Sequence, residues 1–282
     1  MKNALTFDIE EYFHAEAFAG VLRPEEWPSL EGRVVGTTHA ILDLLDEAGV
    51  RATLFVLGWV AERHAGLVRE IHRRGHEVAC HGYGHRMIHR QTRREFGEDV
   101  ARAKATLEDT VGTAVIGYRA PTFSVTRETR WSLEVLCEAG FQYDSSIFPI
   151  VHDRYGIPDA PRFAHLIRPP GGGEIVEFPL STVTLLGHRV PVAGGGYFRL
   201  YPYALTRWAV RHLNRRERQP AMVYLHPWEL DAGQPRLPVG WLPWLRHSVN
   251  VGRTAGRLRR LLRDFAFAPA HEVLRTCGVL VR

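Results

Sequence analysis

The sequence predicts an α/β protein, a parallel sheet or barrel covered by helices. Three observations predict it. Short β-branched or aromatic runs alternate with amphipathic stretches, glycines stand where several of those stretches stop, and 282 residues is an ordinary length for one α/β barrel. Residues 4–9 read as the first strand, and 38–48 as a helix closed by Gly49. Residues 52–57 follow as a strand, 60–74 as a helix stopped by Gly75, and 77–80 as a strand. Next come a helix over 94–110, a strand over 115–118, and a helix over 128–139 stopped by Gly140. Short strands are expected at 142–144 and 175–178, a helix at 203–218, a strand at 222–225 and a last helix at 251–264.

Two stretches interrupt this rhythm. Residues 10–36 show no clear periodicity, and 145–202 are rich in Pro and Gly. Neither has the composition of a linker, so the expectation is a single domain over 1–282 with insertions there and a helical extension from residue 240. The triplets Gly171-Gly172-Gly173 and Gly194-Gly195-Gly196 lack the spacing of a phosphate cradle and read as flexible turns.

At 45 % hydrophobic and 24 % charged, the composition excludes disorder, collagen-like repeats and a disulfide scaffold. Cys80, Cys137 and Cys277 form no CxxC pair, so any metal must be held by imidazole and carboxylate; the chain has 15 histidines. The net charge of +5 sits mostly in arginines between 211 and 218 and between 246 and 263. No aromatic platform or finger motif accompanies them, so they read as solvated faces rather than a nucleic-acid groove. No apolar run approaches the roughly 18 residues of a membrane span. Asp8 leaves no room for a signal-peptide apolar region, and a cytoplasmic protein is expected.

The chemistry gathers at the carboxyl ends of the expected strands, where loops of parallel α/β folds converge on one mouth. The first strand delivers Asp8, Glu10 and Glu11, and the third delivers His81-Gly82-Tyr83-Gly84-His85. Arg119-Ala120-Pro121, Asp144-Ser145-Ser146 and His226-Pro227-Trp228 end later strands. Gly82 and Gly84 argue against a helix, but a tight turn would fold both imidazoles towards one ion, needing a carboxylate to complete the set. Strand alternation puts Asp8 and Glu10 on one face and Glu11 on the other, where it reads as the start of a solvent-facing loop. The residues alone leave open whether Glu10 or Glu11 completes the site. Arg119 suits pairing with Asp8, and Pro121 would aim the N–H of Thr122 or Phe123 at an oxyanion. His226 reads as a rim residue or a general acid. Asp144 either orients His226 or Arg119 or caps its own turn.

In this order, Thr6-Phe7-Asp8, His81 to His85, Arg119-Ala120-Pro121, Asp144 and Leu225-His226-Pro227 resemble the motifs of the polysaccharide deacetylase family, whose catalytic part is the NodB homology domain. The resemblance spans roughly residues 4–230. Tyr143 to Pro149, Gly194 to Arg199 and His226 to Asp231 are similar to the subgroup found in exopolysaccharide biosynthesis loci of Gram-negative bacteria. One departure stands out: the family's commonest Asp-Asp pair is replaced by Asp8-Ile9-Glu10.

The resemblance implies a distorted (β/α)7-type barrel and a metal-dependent hydrolase that removes N-acetyl groups from an amino-sugar glycan. Carried over, Glu10, His81 and His85 would hold a divalent metal, zinc first among them. Asp8 would be the base, Arg119 would tune it, Asp144 would support the site and His226 would be the acid. Pro121, Phe123, Tyr197 and Trp228 would line the substrate, and Tyr12, Phe13 and Trp27 are further candidates for stacking on sugar. The partner expected is an N-acetylated glycan, with no nucleic acid and a peripheral contact of the Arg-rich C-terminal helix with an anionic membrane surface. Two alternatives are an amidase or imidase on a small molecule and a non-catalytic carbohydrate-binding relative.

Overall fold

Strand β1 (Asn3–Ile9) is buried along its whole length and runs through the centre of the sheet. Its alternate residues separate two apolar clusters: Leu5, Phe7 and Ile9 pack towards the helices, while Ala4 faces the sheet interior, the side shared by Thr6 and Asp8. A computed structural model of the chain describes residues 1–152, 154–192 and 194–280. In it β2 (Thr53–Val56), β3 (Glu77–Cys80), β4 (Gly117–Tyr118) and β5 (Tyr143–Asp144) follow β1 in parallel register. Strand β6 (His165–Ile167) runs antiparallel to β7 (Ile175–Glu177), and β8 (Thr182–Leu185) and β9 (His188–Pro191) form a separate hairpin. Strand β10 (Met222–Leu225) pairs with the other edge of β1, and the two-residue β11 (Phe267–Ala268) joins β1 at Asn3 and Ala4. The sheet order is β10-β1-β2-β3-β4-β5-β7-β6. Along this path β10, β1, β2, β3, β4, β5 and β7 are the seven parallel strands expected, the short β11 lies parallel to β1 off the path, and the sheet is open between its β6 and β10 edges.

The helices cover the outer face. Helix α1 (Val34–Ala48) buries Val34, Thr38, Ile41, Leu42 and Leu45 at helical spacing and ends at Gly49, whose φ of 62° only glycine adopts freely. Helix α1 begins four residues before the expected position because Glu11 caps it, accepting the backbone N–H groups of Arg33 and Val34 at 2.9 and 3.1 Å. Glu11 is thus buried as a helix cap, not a solvent-facing loop start and not a rim ligand. The single helix expected over 60–74 is two helices, α2 (Gly58–Arg63) and α3 (Ala65–Arg73), broken at His64. Gly58 and Trp59 donate to the carbonyls of Gly82 and Tyr83, tying α2 to the loop after β3 and turning it away from the line of α3.

Helix α4 (Arg93–Val111) starts with a Thr92–Glu95 capping box and buries Phe96, Val100, Ala103 and Leu107, and the short α5 (Ser132–Glu138) replaces the longer helix expected at 128–139. Each fully buried Leu or Phe of this layer contributes on the order of 1.5–3 kcal/mol. Between β9 and β10 lie α6 (Gly195–Leu200) and α7 (Tyr203–His212). Beyond residue 240 the chain forms α8 (Trp241–Ser248), α9 (Thr254–Asp264) and, after β11, α10 (Ala270–Thr276). The helix at 251–264 is therefore not the last.

The segment 194–196 is a close contact, not a flexible turn. Gly194 has φ 137° and bridges Tyr224 on β10, so an added Cβ would stand 1.9 Å from the Tyr224 carbonyl oxygen. Gly194→Ala is expected to destabilise the protein by about 2 kcal/mol or more, because backbone rather than a flexible side chain must move. A urea midpoint equal to wild type would contradict this close packing.

Candidate active site

Asp8 is the sixth residue of β1 and Glu10 leaves its carboxyl end, so both carboxylates reach the same rim, buried to 1 % and 2 % exposure. Arg119, directly after β4, is fully buried inside the barrel. Its Nη1 donates to Asp8 Oδ1 at 2.7 Å and to Thr6 Oγ1 at 2.8 Å. Its Nε and Nη2 donate to the Ser145 carbonyl and hydroxyl, and the guanidinium lies 4.1 Å above the Phe55 ring. The carboxylate has one fixed partner and keeps Oδ2 towards the mouth, 3.8 Å from His226 Nε2.

His81 comes directly after β3, and His85 follows on a turn in which Gly82 and His85 both have positive φ. Among the described residues, Glu10, His81 and His85 form the group whose ligand atoms lie within 4.8 Å of one another, as one ion requires. His81 Nδ1 lies 2.8 Å from the Arg119 carbonyl, an acceptor that fixes the proton on Nδ1 and leaves the Nε2 lone pair for the rim. Burial, opposed in part by Asp8, keeps His81 neutral and pulls its pKa down to about 4. Burial works against a charged Glu10, yet the imidazoles of His85, His226 and His81 hold it well below the usual carboxylate range. Glu10 Oε2 lies 2.8 Å from His85 Nε2 and 3.8 Å from His81 Nε2, but receives no well-directed hydrogen bond. A buried carboxylate oxygen without a donor, facing two imidazole nitrogens, fits a divalent cation better than a simple ion pair.

His226 follows β10 and brings Nε2 to 3.8 Å from both Asp8 Oδ2 and Glu10 Oε1. Its Nδ1 faces Glu229 Oε2 at 3.0 Å. Burial disfavours its charge, but the bond to Glu229 and the charges of Glu10, Glu229 and Asp8 raise its pKa to about 9. Glu229 was not singled out from the sequence; its position three residues after His226 is the signal that pointed to it. His14, which the sequence does not single out, is buried and lies near-parallel to the His85 ring at 6.1 Å, beside Trp27 and Trp59.

Several expected site residues lie elsewhere. Asp144 makes no hydrogen bond to His226 or Arg119 among the described residues; it accepts from Ser146 and lies beside Glu177, its register partner on β7. Strand alternation explains the correction, since Tyr143 takes the interior side and turns Asp144 outward. The Phe123 N–H donates to the Ala120 carbonyl at 3.0 Å, so of the two N–H groups expected to face an oxyanion after the buried Pro121, that of Phe123 is already engaged. The Phe123 ring packs against Tyr224 and Phe148 in the barrel core rather than at a sugar. Trp228 is 8 % exposed, its ring held between His226 and His247, and its Nε1 donates to Glu10 Oε1 at 3.0 Å. Both faces are covered, so Trp228 holds Glu10 and does not stack on sugar. Tyr12, Phe13 and Trp27 are core residues. Tyr197 is half-buried beside Phe148 and Tyr201.

Fold and rim together define an open α/β barrel with a His/His/carboxylate centre of metal-ligating type beside a paired carboxylate and a third imidazole. Residues 4–143 match the family model described as polysaccharide deacetylase, and residues 145–275 match a domain of unknown function, DUF3473. Residues 4–143 belong to the polysaccharide deacetylase family. It is 28 % identical over 134 residues to a peptidoglycan-N-acetylglucosamine deacetylase of Bacillus cereus, covering 45 % of this chain and 46 % of that one. The chain spans less than half the length of the curated relatives it matches first. A Mycobacterium smegmatis structure described as a polysaccharide deacetylase superposes with a TM-score of 0.64 at 22 % identity, over 99 % of this chain and 91 % of that one. An allantoinase structure gives 0.59 at 14 % identity, over 96 % and 88 %. Both likenesses concern the fold. No helix among the described residues is long and apolar enough to cross a membrane.

The raised pKa of His226 has a consequence for chelator-treated protein. Charged His226 contributes stability that is fully present below its ordinary value of 6.5 and is lost as pH rises through about 9. Between those values wild type is expected to lose more stability than His226→Gln. Parallel urea midpoints for the two across that window would contradict the placement of His226 among Glu229, Glu10 and Asp8.

Proposed function

We propose that this protein is a metal-dependent hydrolase that removes N-acetyl groups from an amino-sugar polysaccharide or its oligosaccharide precursor, in exopolysaccharide biosynthesis. The observation that carries the reading is the convergence on one buried rim of an Arg-paired carboxylate, a His/His/carboxylate group and a third imidazole. Its support from relatives is the family match over 4–143 and the similarity to a peptidoglycan deacetylase.

Glu10, His81 and His85 are the residues that would hold the cation, and zinc is the ion whose usual nitrogen and oxygen ligands they match. Bound there, a divalent ion would polarise the acetyl carbonyl and lower the pKa of water. Asp8 Oδ2, left open by the Arg119 bond at Oδ1, takes the proton of the attacking water. Arg119 prevents Asp8 from turning by holding its Oδ1. The Thr122 N–H supplies a donor for the developing oxyanion. His226 Nε2 hands a proton to the departing amine, without which the C–N bond does not break.

The test is acetate release from N-acetylglucosamine oligosaccharides. Wild type is expected to release acetate, and Asp8→Asn and His226→Ala to do so about 10²–10⁴-fold more slowly. Ring opening of cyclic imides with no acetate from any N-acetylated sugar would transfer the site to a small-molecule amidase. Glycan binding without turnover would mark a non-catalytic relative.

A further inference from the structure

The half of the chain that matches a domain of unknown function contains the third imidazole and everything that holds it. Glu229 lies on a 3-10 turn (Pro227–Leu230) and is fully buried. Its Oε2 accepts the His226 backbone N–H at 2.9 Å and faces His226 Nδ1 at 3.0 Å. Its Oε1 accepts Arg199 Nε at 2.6 Å. Arg199 comes from α6, at 2 % exposure, and spends its remaining donors on the end of α8: Nη1 on the carbonyls of His247 and Val249, Nη2 on that of Arg246. Three separate segments, α6, the turn after β10 and the end of α8, therefore meet on one buried ion pair whose free side is the His226 ring.

A buried Arg–carboxylate pair is a poor stabilising device. Desolvation of both ions consumes most of their attraction, and apolar residues of similar volume commonly serve stability as well or better. What the pair does that apolar residues cannot is hold an acceptor against Nδ1. An ionised Glu229 only accepts, so the Nδ1 proton is fixed and Nε2 is turned to the rim, 3.8 Å from Asp8 and Glu10.

We infer that Glu229 and Arg199 are positioning residues for His226, and that the region of unknown function serves as the acid-delivering half of the active site. The inference rests on the deacetylase reading for its chemistry, but its geometry is independent of it. Trp228 belongs to the same arm, since it reaches across to Glu10 from the turn that carries Glu229.

The experiment compares wild type, Glu229→Gln and the double variant Glu229→Leu/Arg199→Met, which removes both buried charges together and so leaves neither unpaired. Two substrates separate the roles: an N-acetylglucosamine oligosaccharide, whose amine cannot leave unprotonated, and p-nitrophenyl acetate, whose phenolate can. Both variants are expected to lose about 10-fold or more in kcat on the amide, within the range that general-acid help is worth, with KM little changed and the ester rate within about 2-fold. Ring ¹⁵N spectra of neutral His226 give a readout apart from activity: the proton is expected on Nδ1 in wild type and redistributed to Nε2 in the double variant. Equal losses on both substrates, or an unchanged tautomer in the double variant, would overturn the inference. Wild type inactive on the amide would overturn the deacetylase reading instead, and the spectra would still decide whether Glu229 positions His226.

Discussion

Two buried carboxylates two residues apart, Asp8 near the end of β1 and Glu10 just past it, are the constraint around which the rest of the structure is arranged. Left alone, Asp8 and Glu10 would repel, and desolvation would protonate at least one of them. The molecule keeps the two apart by giving each its own partners. Asp8 is tied to Arg119, a guanidinium inside the barrel with every donor group engaged. Glu10 is surrounded by the imidazoles of His81, His85 and His226 and receives the Trp228 indole N–H. One acid is thereby oriented with an oxygen free, and the other is left with a buried oxygen that faces two imidazole nitrogens.

Each partner depends on a different part of the fold. Arg119 reaches Asp8 because β4 ends where Thr6, Phe55 and Ser145 can pack around its guanidinium. The imidazoles of the third strand depend on a turn with two positive φ angles and on α2, which is pinned to the backbone of that turn. His226 depends on β10 and on the ion pair behind it. In the proposed reaction the first half of the chain would supply base and ligands, and the second the acid. That division follows the boundary between the two family models at residues 143 and 145.

Much of this is legible in the sequence because strand ends converge in parallel α/β folds. Asp8, Glu10, His81, Arg119 and His226 each stand within one residue of a strand end, and His85 follows five residues after β3 on the turn that His81 begins, so identifying the strands was enough to bring them together. The alternation rule also separated Glu10 from Glu11, although it gave no hint that Glu11 caps α1 from 22 residues away. Where the sequence misled, the cause was tertiary. Asp144 has the right residue type at a strand end, but its neighbour Tyr143 claims the interior. Trp228 looks like a sugar platform until the rings of His226 and His247 cover it. Arg199 and Glu229 lie 30 residues apart, on segments with no periodic signal, and only packing reveals that they form one pair. Short strands were missed for a similar reason: two residues of β11 carry no pattern, and only β1 makes them a strand.

The central claim is that Glu10 and its two imidazoles are built to hold a cation. Elemental analysis of the purified protein beside Glu10→Ala tests it most directly. The account predicts about one equivalent of divalent metal in wild type, as a single three-ligand site would bind, and loss of that metal in a variant that remains folded. Metal occupancy unchanged in Glu10→Ala would contradict it.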